Sequence, residues 1–213
     1  MEPPILDHPG DRLDAAHTAL LIIDMQKDFC AAGFGAHRAG RDLSMAQAVI
    51  GRIATLLAAG REAGVLVVHV GLSIEPDHRS DSGPWLAQRR RSTFSGEKLC
   101  ITDSEGARFI DDLAPAEGEL VVRKRRYSAF TGTDLDLLLR GRGIRTVVCC
   151  GVSTNVCVET TARAAFERDY YVVVPPDACG SWDQSLHEAT LANINHRFGI
   201  TPAIAEIAAT WAR

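Results

Sequence analysis

Five short runs of branched apolar residues constrain the fold of this chain more than any other feature. They predict buried strands at Ala19–Asp24, Val65–Val70, Glu119–Arg123, Thr146–Gly151 and Tyr171–Val174. Helical patterns lie between and after them, at Asp42–Gly64, Thr133–Arg142, Val158–Arg168, Ser185–Arg197 and from Ala205 onwards. Buried strands that alternate with helices form a parallel sheet with both faces covered. We therefore predict a Rossmann-like, three-layer α/β/α sandwich.

A sixth strand is predicted at Ile200–Ile204, although Pro202 interrupts it. It would complete an open, mainly parallel sheet of six strands. Residues 71–118 differ from the rest because they are rich in Arg, Ser, Asp and Gly and only weakly periodic. Long irregular segments in compact domains often form pocket walls or lids. The length suits one domain, so we expect residues 1–213 to form a single unit with 71–118 as its irregular pocket or lid segment.

Charge and composition argue against several classes of partner. The net charge is −4, so no nucleic-acid partner is expected. No apolar run approaches the roughly 20 residues that cross a bilayer, and the N-terminus lacks a secretory signal pattern, so no membrane partner is expected. Six cysteines without CxxC pairs argue against disulfides or a zinc knuckle and favour a reducing cytoplasm. No G-x-G-x-x-G follows the first strand, so no dinucleotide cofactor is expected.

One of these cysteines, Cys157, falls where the predicted fourth strand turns into the following helix. The unpaired N–H groups and the dipole of a helix N-terminus stabilise an anion, which would lower the pKa of the thiol and make it nucleophilic. A free cysteine is also a common packing residue in protein cores. The position alone therefore leaves both a chemical and a structural role open.

Two charged residues at the ends of other predicted strands could serve this thiol. Asp24 ends the first strand and Lys124 ends the third. The carboxyl ends of strands in an open α/β sheet border the ligand crevice. A carboxylate can take the thiol proton, a cation favours the thiolate, and the thiolate can attack a carbonyl carbon. Together they suit amide hydrolysis, although a loop cap at Asp24 and a solvated Lys124 are alternatives.

Three motifs in this chain resemble those of the isochorismatase-like cysteine hydrolases. They are Ile22-Ile-Asp-Met-Gln-Lys-Asp-Phe29, Lys124-Arg-Arg-Tyr-Ser-Ala-Phe130 with Thr133-Asp-Leu-Asp136, and Gly151-Val-Ser-Thr-Asn-Val-Cys-Val158. Their order and separations follow the family over nearly the whole chain. The resemblance implies the family's hydrolase fold, with Cys157 as the nucleophile. It also implies that Asp24 is the general base and then acid, and that Lys124 is the cation that holds both.

The family also has a cis peptide bond before the residue that matches Ser153, which implies one between Val152 and Ser153. The backbone N–H groups of Ser153 and Cys157 would then form the oxyanion hole. The implied reaction forms a thioester with loss of ammonia or an amine, and water then hydrolyses it. One geometric problem remains. In a strand order of 3-2-1-4-5-6, Lys124 starts two strands from Asp24, about 10 Å at roughly 4.8 Å per strand.

The nucleophilic cysteine favours carbon–nitrogen hydrolysis over the vinyl-ether cleavage of isochorismatases proper. The second and third motifs are most similar to ureidoacrylate and N-carbamoyl amidohydrolases, which implies a small ureido or carbamoyl substrate and release of ammonia. Biuret, triuret or maleamate-type amidases and nicotinamidase-like amidases are alternatives. Nicotinamidases hold a divalent metal through an Asp-x-His pair and another His, whereas Asp77 and His78 are adjacent here. No metal is therefore expected.

Six further residues are candidates for binding the substrate. They are Phe29, Trp85, Tyr127, Arg79, Arg89 and Arg90. Arginines can hold a carboxylate and aromatic rings can wall a pocket, although solvation and ordinary packing explain the same residues. Members of the family are commonly dimers or tetramers, which implies a homo-oligomer. A non-catalytic sensor with Cys157 as its low-pKa thiol is the alternative from another functional class.

Overall fold

The computed structural model describes residues 5–91 and 98–213. Within that part of the chain, six strands form one parallel sheet. They are β1 Thr18–Ile23, β2 Leu66–Leu72, β3 Leu120–Lys124, β4 Thr146–Val152, β5 Tyr171–Val173 and β6 Cys179–Gly180. The order across the sheet is β3-β2-β1-β4-β5, and β6 pairs with β4 beyond the point where β5 ends. The predicted parallel, Rossmann-like sheet is confirmed.

Helices flank this sheet. They are α1 Pro9–Arg12, α2 Lys27–Cys30, α3 Gly35–Arg38, α4 Ser44–Ala48, α5 Ile50–Glu62, α6 Gly83–Arg91, α7 Leu135–Arg140, α8 Glu159–Phe166, α9 Gln184–Asn193 and α10 Ile204–Trp211. Short 3₁₀ turns span Ala15–His17, Glu105–Ala107, Asp111–Leu113 and Pro176–Ala178, and π-helical turns span Thr154–Val158 and Ile194–Phe198. Among residues 5–91 and 98–213, no helix has both the length and the apolar composition of a membrane-spanning segment.

Burial explains why the strands were visible in the sequence. Every residue of β1 and of β4 is buried, because helices cover both faces of the sheet at its centre. The third strand, β3, lies at an edge of the sheet and alternates between exposed and buried residues over its last four positions. Central strands therefore appear as continuous apolar runs, whereas the edge strand carries charged residues.

The predicted sixth strand at Ile200–Ile204 is wrong. Ile200 forms only an isolated bridge with Val173, and the chain enters α10 at Ile204. Pro202 lacks the N–H that a strand interior requires. The actual sixth strand, β6, has two residues, which is too short to leave a periodic pattern in the sequence.

The expectation that residues 71–118 are irregular is wrong in two places. Gly71 and Leu72 complete β2, and Gly83–Arg91 form the nine-residue helix α6. Within α6 only Trp85 is buried, so the helix lacks the apolar stripe by which an amphipathic helix is recognised. Part of the predicted lid, residues 92–97, lies outside the described residues.

Strands β1 and β4 are neighbours at the centre of the sheet, and their register brings Ile23 beside Gly151. Gly151 has a φ of +116°, and a Cβ at this position would overlap the Ile23 carbonyl oxygen. Glycine is therefore required for the two strands to approach at their carboxyl ends. The segments that follow the two strands begin side by side, and both carry candidate site residues.

Candidate active site

Asp24, Lys124 and Cys157 meet at the carboxyl ends of the strands. The Lys124 Nζ atom lies 2.7 Å from Asp24 Oδ2 and 3.4 Å from Cys157 Sγ. All three residues are buried, with 1%, 0% and 8% of their surface exposed, respectively. The structure thus brings together the three residues that the sequence placed on separate strands.

Two features close the gap that the strand order implied for Lys124. Asp24 has a φ of +54°, and its N–H donates a hydrogen bond to the Val70 carbonyl of β2. Asp24 therefore stays hydrogen-bonded to β2, the strand that separates β1 from β3. Lys124 is the last residue of β3, level with Leu72 of β2, and its long side chain spans the remaining distance.

The electrostatics of the site differ from the expectation for Cys157. Burial raises the pKa of the Cys157 thiol, and the nearby Asp24 carboxylate raises it further, while Lys124 lowers it by less. The expected low-pKa thiol is therefore wrong, because desolvation and the neighbouring carboxylate both disfavour the thiolate. Cys157 rests as a protonated thiol beside a carboxylate that can accept its proton.

Lys124 remains a cation despite its burial. Desolvation lowers its pKa, but Asp24 and Cys157 raise it by more, so the pKa of Lys124 lies above its ordinary value. A buried ammonium is tolerated only when it is paired, and Asp24 supplies the partner. The ammonium is positioned to stabilise negative charge on the Cys157 sulfur.

The turn that carries Cys157 begins after a cis peptide bond between Val152 and Ser153, at the position that the family resemblance implied. The next five residues, Thr154–Val158, form a single π-helical turn that leads directly into α8. The Ser153 carbonyl accepts hydrogen bonds from the N–H groups of Val156 and Val158. Ser153 and Cys157 both line the same cavity.

That cavity has a volume of about 590 Å³ and opens beside the Cys157 sulfur. Five of the six predicted substrate-binding residues line it. They are Phe29, Trp85, Tyr127, Arg89 and Arg90. The sixth, Arg79, does not line this cavity: its guanidinium pairs with the nearby Asp77, with Nη2 2.7 Å from Oδ2.

Aromatic side chains form two pairs around the cavity. The Trp85 ring lies 4.8 Å from the Tyr127 ring, centroid to centroid, and the Arg126 guanidinium covers Trp85 at 4.9 Å. In the second pair, the Phe29 ring lies 6.1 Å from the ring of Trp182. The aromatic walls are therefore held by contacts with one another and with a cation.

Several residues that line the cavity were not predicted from the sequence. They include Leu72, Ile74, His78, Lys98, Val156 and Trp182. Trp182 follows β6 by two residues, so it lies at the carboxyl end of a strand, where binding residues gather. Its position after a strand could have identified Trp182 as a binding residue, but a two-residue strand leaves no pattern in the sequence.

The acidic and histidine side chains near the cavity are paired with other residues. His78 Nδ1 lies 2.7 Å from Asp81 Oδ2, and Asp77 holds Arg79. Among residues 5–91 and 98–213, no group of three or more His, Cys, Asp or Glu side chains is arranged to hold a metal ion.

Two other cysteines, Cys149 and Cys150, lie in different surroundings from Cys157. All six are buried and free. Burial raises the pKa of Cys149 to about 12 and raises the pKa of Cys150 as well. Neither of these two strand residues lines the cavity that Cys157 faces. They are packing residues of β4.

Comparison with known proteins places these features in a family. The isochorismatase domain profile matches residues 18–206. The ureidoacrylate amidohydrolase RutB of Methylobacterium radiotolerans is 39% identical over 197 residues, which covers 88% of this chain and 76% of that protein. An isochorismatase family protein from Desulfovibrio vulgaris has a TM-score of 0.80 at 33% identity, over 92% of this chain and 99% of its own. A cysteine hydrolase from Pseudomonas syringae pv. phaseolicola has a TM-score of 0.82 at 27% identity, over 100% and 99%.

Proposed function

This chain belongs to the isochorismatase family, and from that premise we propose that it is a cysteine-dependent amidohydrolase of small ureido or carbamoyl compounds. The observation that carries the proposal is the contact of Lys124 with both Asp24 and Cys157 beside a cavity. A base, a cation and a nucleophile in contact suit attack on an amide carbonyl. The similarity to ureidoacrylate amidohydrolases supports a ureido substrate.

The first half of the proposed reaction uses the thiol proton. Asp24 takes the proton from Cys157, and Lys124 stabilises the thiolate as it forms. The sulfur attacks the carbonyl carbon, and the N–H groups of Ser153 and Cys157 stabilise the oxyanion of the tetrahedral intermediate. Asp24 then gives its proton to the leaving nitrogen as the carbon–nitrogen bond breaks. Ammonia or an amine departs, and a thioester remains on Cys157.

The second half restores the enzyme. Water attacks the thioester carbon, and Asp24 takes the water proton as a general base. The carbon–sulfur bond breaks, the proton returns to the sulfur, and the acid product leaves. If the substituted nitrogen leaves first, the carbamic acid that forms decomposes to carbon dioxide and ammonia. If ammonia leaves first, the N-substituted carbamic acid decomposes to carbon dioxide and an amine. Hydrolysis of a terminal ureido group therefore releases one ammonia by either route.

The cavity gives the proposed substrate an orientation. Aromatic rings wall the space next to Cys157, and Arg89 and Arg90 lie on α6 at the same cavity. A planar ureido group fits between aromatic walls, and a carboxylate at the other end of the molecule would meet an arginine. This arrangement favours ureido acids over uncharged amides.

We also propose that the enzyme works in the cytoplasm as a homo-oligomer. Six free, buried cysteines suit a reducing compartment. The family resemblance supports a dimer or tetramer, in which a second copy could help to wall the cavity.

Release of ammonia from a panel of compounds tests the proposed function. The panel contains ureidoacrylate, N-carbamoyl amino acids, biuret, maleamate and nicotinamide. We expect turnover of one or more of the ureido acids and much slower release from nicotinamide. Ammonia release confined to nicotinamide or maleamate would contradict the ureido assignment. No release from any compound, together with reversible oxidation of Cys157, would favour a thiol sensor.

A further inference from the structure

A segment outside the proposed catalytic residues forms hydrogen bonds with the turn that carries Cys157. The nucleophile turn comprises residues 154–159, which are the π-helical turn and the first residue of α8. The clamp comprises residues 180–190, from the end of β6 into α9. Four side-chain hydrogen bonds join the clamp to the nucleophile turn.

At the start of the turn, the Thr154 hydroxyl lies 2.9 Å from the Gly180 carbonyl oxygen and 2.9 Å from His187 Nδ1. A carbonyl oxygen only accepts, so the single hydroxyl hydrogen points to Gly180. His187 Nδ1 must therefore carry a hydrogen and donate it to Thr154. This assignment fixes the His187 tautomer, and both side chains are buried.

At the end of the turn, the Thr190 hydroxyl donates to Glu159 Oε2 over 2.7 Å. Thr190 is buried and lies three residues after His187, so the two side chains share one face of α9. Between these points, Ser181 Oγ donates to Asn155 Oδ1 over 2.7 Å. The clamp thus holds both ends of the turn, with Cys157 between them.

We infer that His187 and Thr190 are positioning residues that fix the nucleophile turn and so keep the Cys157 sulfur aligned with Asp24, Lys124 and the Ser153 N–H. The inference rests on the proposed function for the role of Cys157. A π-helical turn is rarely stable by itself and is commonly retained at functional sites, so external support at both ends has a clear purpose. A shift of about 1 Å in a reacting atom can cost roughly 100-fold in rate.

The clamp also borders the substrate. Trp182 lies between Ser181 and the N-cap residue Asp183, and it lines the same cavity as Trp85 and Tyr127. A substrate that packs against Trp182 therefore touches the same segment that holds the nucleophile.

The test compares paired variants in the full-length enzyme. His187→Leu removes the donor, whereas His187→Asn keeps an N–H donor near the position of Nδ1. Thr190→Val removes a hydroxyl from the clamp, and Thr210→Val makes the same change on α10, where the hydroxyl donates to the Glu206 carbonyl of its own helix. Each variant is assayed for kcat and KM of ammonia release.

We expect His187→Leu and Thr190→Val to lower kcat by roughly 10- to 100-fold while KM stays within about twofold. His187→Asn and Thr210→Val should remain near the parent enzyme. A His187→Leu variant with unchanged kcat would overturn the inference. A His187→Asn variant as slow as His187→Leu would also overturn it, because that result would mean that the N–H donor of residue 187 does not matter.

A second measurement does not depend on the substrate. Iodoacetamide alkylates Cys157 directly, and peptide mass spectrometry follows that site alone. We expect the alkylation rate of Cys157 to change by about fivefold or more in His187→Leu and to return to the parent value in His187→Asn, since a displaced sulfur changes its contacts with both Asp24 and Lys124. If the parent enzyme releases no ammonia from any ureido compound but alkylation follows this order, the proposed function fails and the positioning role stands. Equal alkylation rates in all variants would overturn the positioning role.

Discussion

Cys157 is a buried thiol whose pKa is raised, so its reactivity depends on transfer of its proton to Asp24. Replacing Asp24 with Asn removes the acceptor, and we expect kcat for ammonia release to fall by about 10²- to 10⁴-fold. The same change removes the carboxylate that raises the thiol pKa and leaves Lys124, which lowers it. The pH at which iodoacetamide alkylates Cys157 should therefore move down in Asp24→Asn, although hydrolysis is lost. An alkylation profile that moves up in pH would contradict this account of the site.

Two arginines on the 71–118 segment provide a matched pair for substrate binding. Arg89 lines the cavity, whereas Arg79 pairs with Asp77 outside it. If the substrate carries a carboxylate, Arg89→Gln should raise KM by roughly tenfold, as expected for loss of a charge-assisted hydrogen bond. Arg79→Gln should leave KM unchanged. Steady-state kinetics with a ureido acid measures KM for both variants. Equal changes in KM for Arg89→Gln and Arg79→Gln would contradict the orientation proposed for the substrate.

At this scale, the sequence predicted which residues meet but not their electrostatics. Each of the three residues ends or follows a recognisable strand and lies in one of the three family motifs. They are Asp24, Lys124 and Cys157. The direction of the Cys157 pKa shift depends on burial and on the Asp24 carboxylate, neither of which a strand-to-helix pattern reports. The position of Arg79 away from the cavity was not predictable for a similar reason, because loop conformation decides whether its side chain meets Asp77 or the cavity.

Among the elements, β3 is tied to its neighbours by Glu119, the residue before it. Arg61 of α5 hydrogen-bonds this carboxylate, and His69 Nε2 of β2 lies 2.8 Å from Glu119 Oε2. The Arg61 hydrogen bond is the main reason that the pKa of Glu119 falls to about 2. One carboxylate therefore links a helix and two strands on the side of the sheet that supplies Lys124.

This link predicts a pH dependence of stability. The pKa of Glu119 is lower in the folded chain than its ordinary value of 4.5, so its stabilising effect is complete above about pH 4.5 and is lost as the pH falls toward about 2. At neutral pH, Glu119→Gln should lower the free energy of unfolding by about 1–2 kcal/mol, with part of the charge effect screened by solvent. Urea unfolding of the parent protein and of Glu119→Gln at pH 7 and pH 3 measures the difference in the free energy of unfolding. A stability loss that is larger at pH 3 than at pH 7 would contradict the assignment.

Two elements that border the cavity and that the sequence did not reveal share one property. Strand β6 has two residues and helix α6 buries only Trp85, so neither presents the repeated apolar positions by which elements are recognised. Both nevertheless shape the site, since Trp85 and Trp182 line the cavity. Central strands such as β1 and β4 were predicted well because burial on both faces demands continuous apolar residues.

At the scale of the whole molecule, the order of the strands explains why Asp24 and Cys157 line the same cavity. Neighbouring β1 and β4 bring the segments of Asp24 and Cys157 together, as in other open α/β folds.

The resemblance to the family predicts more than one copy in solution. Light scattering coupled to gel filtration should give a mass of two or four times the 23.0 kDa chain. A mass of one chain at micromolar concentration would contradict the oligomer.

In the proposed reaction, Cys157 forms the thioester through which the carbon–nitrogen bond is cleaved. The most direct measurement compares ammonia release by the parent enzyme and by Cys157→Ala, with the best ureido acid of the panel as substrate. We predict steady release by the parent enzyme and none above background by Cys157→Ala, while circular dichroism shows an unchanged fold. A folded Cys157→Ala variant that still releases ammonia at a measurable fraction of the parent rate would contradict the account.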